Sequence, residues 1–311
     1  MKKISRNFLL ISLIILFGFP SNASQIDIQN DDFLQSKLLK ISFFKQITKT
    51  DEQQIIEILN SVSKNMTKRK LNRLKQFYDN SFITNDGFHY NFYFEILNDT
   101  WKNYPSLEYQ ITPLKIKFSK NYAQVLCDEV VTGTVANSSF FKGEGIVQSK
   151  AQTIYHFKKS SINWYITGLN VIDETSIIKF GNAVNMDFEL QAPFQVQNDT
   201  FYTISLDIKR PLNNIVVASL NSMPIVYPQK NPLDIFKITT SDNTLERMVK
   251  SNKNGFNENA IATIGIYEHT NNINGDKLNK PGENKVSSCG AAFVLKRVNV
   301  FNINNNNKLN E

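Results

Sequence analysis

Two periodicities divide this chain. From Thr50 the apolar residues recur at helical spacing, with Ile55, Ile56, Leu59 and Val62 on one face. The run Thr50-Asp51-Glu52-Gln53 opens that helix as a capping box. The Thr50 hydroxyl can accept from the backbone N–H of Gln53, while the Gln53 side chain reaches back. A second, short helix is expected over about Lys68 to Tyr78, with Leu71, Leu74 and Phe77 as its buried stripe. "DNSFITNDG" then reads as a loop with Asp86-Gly87 as a turn signal. The spacing of "YNFYFEILNDTWKN" predicts a third helix from Tyr90 to about Asn103, which Pro105 ends because the residue before proline is pushed out of helical angles.

Beyond Pro105 the period becomes two. "SLEYQITPLKIKFSKN", "YAQVLCDEVVTGTV", "EGIVQSKAQTIYHFKKS" and "NWYITGLNVIDETSIIKF" are long runs of β-prone residues parted mostly by short polar turns, so antiparallel neighbours are expected. The stretch Tyr155 to Leu169 is the last hairpin of that sheet, with the tip at Lys158-Lys159-Ser160-Ser161. Trp164 and Ile166 share one face of its second strand.

Residues 50–180 therefore form an α+β unit, three helices on a curved antiparallel sheet. Residues 181–190, "GNAVNMD" and its neighbours, read as a linker. Over 191–302, together with "FELQAPF" just before them, about six short strands joined by loops of Asn, Asp, Gly and Pro predict an all-β sandwich, immunoglobulin-like in cadence. Within it "TLERMVKSN" is open to a helical turn or two. The tail 303–311 is low-complexity and is expected to be disordered.

The element order, the "FYDNSFITNDG" segment and the closing "FKKSSINWYITGLNV" hairpin resemble the NTF2-like superfamily, the cone-shaped fold of SnoaL-like proteins and ketosteroid isomerases. The resemblance covers residues 50–180 and implies a concave sheet face beneath the helices. It implies no single activity, since members include isomerases, cyclases, dehydratases, ligand binders and assembly domains.

The ends and the charge add a location. Lys2, Lys3 and Arg6 precede an apolar run, Phe8 to Phe19, and Ser21-Asn22-Ala23 follows Pro20 with small residues where a signal peptidase reads. Residues 1–23 are thus expected to be a signal peptide, with Ser24 starting an exported, periplasmic or extracellular chain. An uncleaved anchor, the one contact with a membrane, is the alternative reading. Residues 24–49 are a lead holding a short amphipathic helix. Losing the three cationic side chains of 1–23 takes the formal charge from +7 to +4, too little for a nucleic-acid footprint. The two cysteines, Cys127 and Cys289, lie far apart, show no zinc spacing, and are expected to be free thiols, Cys127 buried.

Chemistry is sparse. In an NTF2-like cone the resemblance implies polar groups projecting from the concave face, a carboxylate with tyrosines in ketosteroid isomerases or a His–Asp pair in dehydratases. The candidates here are Asp128, Glu129 and His156. Asp128 and Glu129 are consecutive, so only one can face the cone, and the sequence leaves open which. His89 is expected at a helix start and His269 in a loop. No cofactor or metal motif is present. Tyr78, Tyr90, Phe94 and Trp101 are either core packing or the lining of an apolar pocket. Two functions follow. One is an exported non-enzymatic protein binding a small apolar ligand or a protein partner. The other is a lyase or isomerase acting on a small apolar molecule, which requires an inward Asp128 or Glu129 with His156 or a tyrosine beside it.

Overall fold

The structure is a computed structural model that describes residues 50–135, 141, 143–209, 214–227, 234–239, 244–269 and 286–302. The expected signal peptide, the lead and the tail lie outside the described residues. Helix α1 (Asp51–Thr67) begins at the capping box: Thr50 accepts from the Gln53 N–H and Gln53 answers at the Thr50 N–H. Ile55, Leu59, Val62 and Met66 are its buried face. The second helix shrinks to one turn, α2 (Leu71–Lys75). The segment read as a loop is strand β1 (Tyr78–Thr84), and it pairs in parallel with a strand from the final hairpin. Its Phe82 and Thr84 alternate inward in a run too short for periodicity to reveal a strand. Helix α3 (Tyr90–Asn103) has the expected bounds, with His89 at its N-cap.

Strands β2 (Glu108–Ser119), β3 (Tyr122–Val135), β4 (Gly145–Ser160) and β5 (Asn163–Gly181) form the expected antiparallel meander. Helices on one face of a curved meander are the cone-like α+β arrangement that the resemblance implied. Residues 181–190 are not a free linker. They hold a 3-10 turn (Asn182–Asn185) and most of strand β6 (Asp187–Gln191), and Ala183 and Met186 are buried. The remaining strands are β7 (Gln195–Gln197), β8 (Phe201–Lys209), β9 (Asn214–Pro224), β10 (Lys237–Ile238), β11 (Thr244–Lys250), β12 (Glu258–His269) and β13 (Val286–Phe301). "TLERMVKSN" is thus strand rather than helix, with Leu245 and Val249 packing onto a β core. His269 ends β12 instead of lying in a loop.

The C-terminal strands do not close a sheet of their own. The order β10-β9-β12-β13-β5-β4-β3-β2 is one continuous sheet, because β13 pairs antiparallel with β5 from Lys296–Thr175 to Gly290–Gly181. Alternate residues of β13 serve two cores. Ala291 and Phe293 face the helices, while Ala292, Val294 and Val298 face a three-stranded sheet, β11-β8-β6, on the other side. The sandwich expected of residues 191–302 is therefore a layer laid on a sheet shared with the cone.

Gly181 makes the close approach between β5 and β13 possible. Its φ is +54°, and a side-chain carbon there would meet the Cys289 carbonyl oxygen. Gly181→Ala is expected to cost more than about 1 kcal/mol. A urea melt checks it, and an unchanged midpoint would show that this approach relaxes freely.

Candidate functional site

The concave face is set by the parity of the meander. On β3, Ala123, Val125, Cys127, Glu129 and Val131 point under the helices, and Asp128 points away, exposed and touching Gln152. On β4, Thr153, Tyr155 and Phe157 point inward, so His156 lies on the outer face. Burial lowers its pKa, and its Nε2 completes no hydrogen bond. Asp128 faces Gln152 and His156 faces Gln124, four residues along the strands, so these two candidates are not brought together. Of the three, Glu129 is the inward one.

Glu129 sits on the inward face of the sheet, with its Oε1 buried. Inward positions around it are buried: Cys127, Val131, Ser149, Thr153, Leu169 and Ser176. Glu129, Ala151 and Val171 are only half-buried; Glu129 on β3 pairs with Ala151 on β4, while Val171 on β5 pairs with Thr153, in the neighbouring inward row. These three positions are covered less completely than their inward neighbours. The turn after β1 is tied to Val171: Asn85 donates to the Val171 carbonyl at 3.0 Å and accepts from the Val171 N–H at 3.2 Å.

Hydroxyl groups surround the carboxyl. Burial raises the pKa of Glu129, and the nearby Tyr155 and Thr153 hydroxyls partly offset the rise. Neither Glu129 Oε1 nor Thr153 Oγ1 completes a hydrogen bond. The Tyr78 hydroxyl is likewise buried, with the Tyr93 hydroxyl beside it, and burial, with the Glu129 charge as a smaller contribution, pushes Tyr78, Tyr93 and Tyr155 above the usual phenol range. Cys127, in the same inward file, is free and buried, its thiol pushed up chiefly by burial and then by Glu129. Buried polar atoms are nearly always paired, so the unpartnered Glu129 Oε1 marks a place suited to a polar group of a ligand.

The four aromatic candidates are placed differently. Tyr78, Phe94 and Trp101 belong to the core, and Tyr90 packs against it. Tyr78 meets Phe94 edge to face at 5.1 Å, Phe94 meets Tyr90 at 4.9 Å, and Trp101 donates to the Tyr109 hydroxyl at 3.1 Å. Sequence reasoning missed Tyr155 and Thr153, which follow from the alternation of β4 once its register with Glu129 is known, and Glu174, whose inward phase is set by a bulge in the β4–β5 pairing. Among the described residues no group of three His, Cys, Asp or Glu side chains could hold a metal ion. Among them, too, no helix is long and apolar enough to cross a membrane.

No family model matches the chain, and no curated protein does. Solved structures similar to part of it include hexachlorocyclohexane dehydrochlorinase LinA-type3 from Novosphingobium barchaimii LL02. That match has 14% identity and a TM-score of 0.34, covering 39% of this chain and 84% of that one. ActVI-ORFA from Streptomyces coelicolor is similar at 7% identity and a TM-score of 0.28, covering 38% of this chain and 90% of that one. Kfla4162 from Kribbella flavida is similar at 10% identity and a TM-score of 0.33, with 39% and 88% covered.

Proposed function

We propose that this protein is an acid–base enzyme of the lyase or isomerase kind, acting after export on a small, mostly apolar molecule. Glu129 takes a proton from a carbon of a substrate seated over Ala151. The observation that carries the reading is the Glu129 carboxyl, whose buried Oε1 has no partner, among tyrosine and threonine hydroxyls. A buried carboxylate of raised pKa is a better base toward carbon than a solvated one. The aromatic rings set its surroundings and are spent on one another, which weakens the binding-only reading that cast them as a pocket wall.

The expected pH dependence follows from the direction of the shift. Glu129 works as a base only when ionised, so the rate should rise with pH through a midpoint above the ordinary 4.5 of a glutamate. The test is incubation of the purified protein with a metabolite extract in D2O, followed by mass spectrometry for molecules that gain one deuterium. Glu129→Gln should slow that exchange about 10²- to 10⁴-fold. A molecule retained by the wild type without exchange would support binding alone. Exchange that survives Glu129→Gln would remove Glu129 as the base.

A further inference from the structure

The corner after α1 is turned by residues that its backbone does not favour. Lys68 is the C-cap, and the next two N–H groups close the turn. Arg69 donates to the Met66 carbonyl at 3.0 Å and Lys70 to the Asn65 carbonyl at 2.9 Å. That pair of bonds is the Schellman arrangement, whose first residue beyond the cap is left-handed and usually glycine. Here it is Arg69, at φ +54°. A side chain in that conformation crowds the following carbonyl, a strain that glycine escapes. The Arg69 guanidinium returns one bond, to the exposed Thr67 carbonyl at 3.2 Å, which water would serve as well. Lys70 is placed no better. The position after the left-handed residue commonly carries an apolar contact, and here it carries a charge. Lys70 is also the N-cap of α2, where a serine, threonine or aspartate would accept from the helix, and it makes no side-chain cap.

These two belong to a larger group. Lys64, Lys68, Arg69, Lys70, Arg73 and Lys75 follow one another with no acidic residue between Glu57 and Asp79. The first five are exposed, and Lys75 is half-buried, its ammonium 5.5 Å from the centre of the Phe94 ring. Among the described residues no ion pair engages any of the six. From the sheet, Glu108 comes near, since its neighbour Tyr109 accepts from Ser63 and Thr67 of α1, but one carboxylate offsets one cation. The negative end of α1 favours cations within its last turn, which accounts for Lys64 and Lys68 and not for the others. Arg69 and Lys70 are cations where the local fold has no use for one.

We propose that this corner, Lys64 to Arg73, docks the protein on an anionic lipid bilayer. Composition chooses that partner. Every exposed side chain of residues 64–76 is polar or cationic. A protein interface is anchored by buried aromatic and aliphatic side chains, which this corner does not offer. Clustered lysines and arginines on a helix end and a turn are what a surface of anionic headgroups attracts, at about fivefold in affinity for each cation. The export expected from residues 1–23 sets the chain beside a bilayer and away from nucleic acid. The corner is separate from Glu129, and neither reading depends on the other.

The test reads the corner directly, by acetylating the lysines of the full chain with a water-soluble reagent and mapping them by mass spectrometry. Vesicles of phosphatidylcholine mixed with phosphatidylglycerol should protect Lys64, Lys68 and Lys70, and phosphatidylcholine alone should not. The protection should disappear in about 1 M salt, where the Debye length is about 3 Å. The apolar run 8–19 is the same in every sample, so it cannot produce the difference. Arg69→Gly with Lys70→Ser should raise the lipid needed for half-protection of Lys64 about 25-fold, roughly fivefold for each cation. Arg69→Gly alone separates charge from fold: it should need about fivefold more lipid and yet melt at a higher temperature. Arg69→Lys keeps the charge and should behave like the wild type. Lysines left unprotected by the mixed vesicles, protection that survives the salt, an unchanged lipid requirement in the double variant, or a lower melting temperature for Arg69→Gly would each overturn the proposal. Tighter binding, per anionic charge, to DNA or to poly-glutamate than to the mixed vesicles would assign the corner to another partner and overturn it as well.

Discussion

Replacing Arg297 with methionine should destabilise the fold by about 3–5 kcal/mol, the cost of stranding a buried charge when its partner is removed. Asp86 lies 2.6 Å from Arg297, and the two side chains are 1% and 7% exposed, so water cannot take the place of the guanidinium at Asp86. Isothermal urea unfolding reads the loss. The double variant Arg297→Met with Asp86→Asn should recover much of it, because neither partner of the pair is then left as an uncompensated ion. If the single variant melts like the wild type, the pair is solvated. Stability should also respond to pH through Glu174, whose carboxyl burial pushes up to about 8. Between about 4.5 and about 8 the folded chain holds a proton that the unfolded chain releases, so stability falls as pH rises across that window. The fall should be smaller in Glu174→Gln.

The second large effect concerns the aromatic core. Trp164→Ala, Phe94→Ala and Trp101→Ala should each cost about 3–5 kcal/mol, the ordinary range for truncating a large buried ring. Their exposures, 3%, 1% and 5%, give no reason to rank one as a pocket wall and another as core. Trp164 loses an additional bond, from its Nε1 to Asp51 at 3.1 Å, which ties the final hairpin to the start of α1. Thermal melts of the three variants decide the matter. A loss confined to Trp164→Ala would return Phe94 and Trp101 to the surface of a binding cavity.

Those expectations also show what the sequence carried. The capping box, the bounds of α3 and the four long strands were legible because each depends on near neighbours: a cap needs three residues, and a meander needs only alternation and short turns. Strand β1 was not legible, because its partner, β5, lies some eighty residues on and pairs in parallel. The separate sandwich failed for a similar reason. Strands β12 and β13 alternate like sandwich strands whichever sheet receives them, and nothing local says that β13 joins β5. At the site, parity alone told that Asp128 and Glu129 diverge. Which one faced inward depended on the phase of the whole meander against the helices. Glu174 could not be placed on the same face as Glu129 before the register of three strands was known.

The β5–β13 pairing also bears on how the protein is made. Chains emerge from the ribosome N-terminus first, at about 5–20 residues per second. The cone's strands through β5 are therefore available many seconds before residues 286–301. Until then one long edge of β5 stands unpaired, with Ile177, Ile178 and Phe180 along it. Such an edge is a template for the wrong strand, including the same strand of another nascent chain. The last strand is then less an appended layer than the closing step of the first sheet. Synthesis interrupted before β13 would leave an aggregation-prone intermediate in place of a finished N-terminal domain.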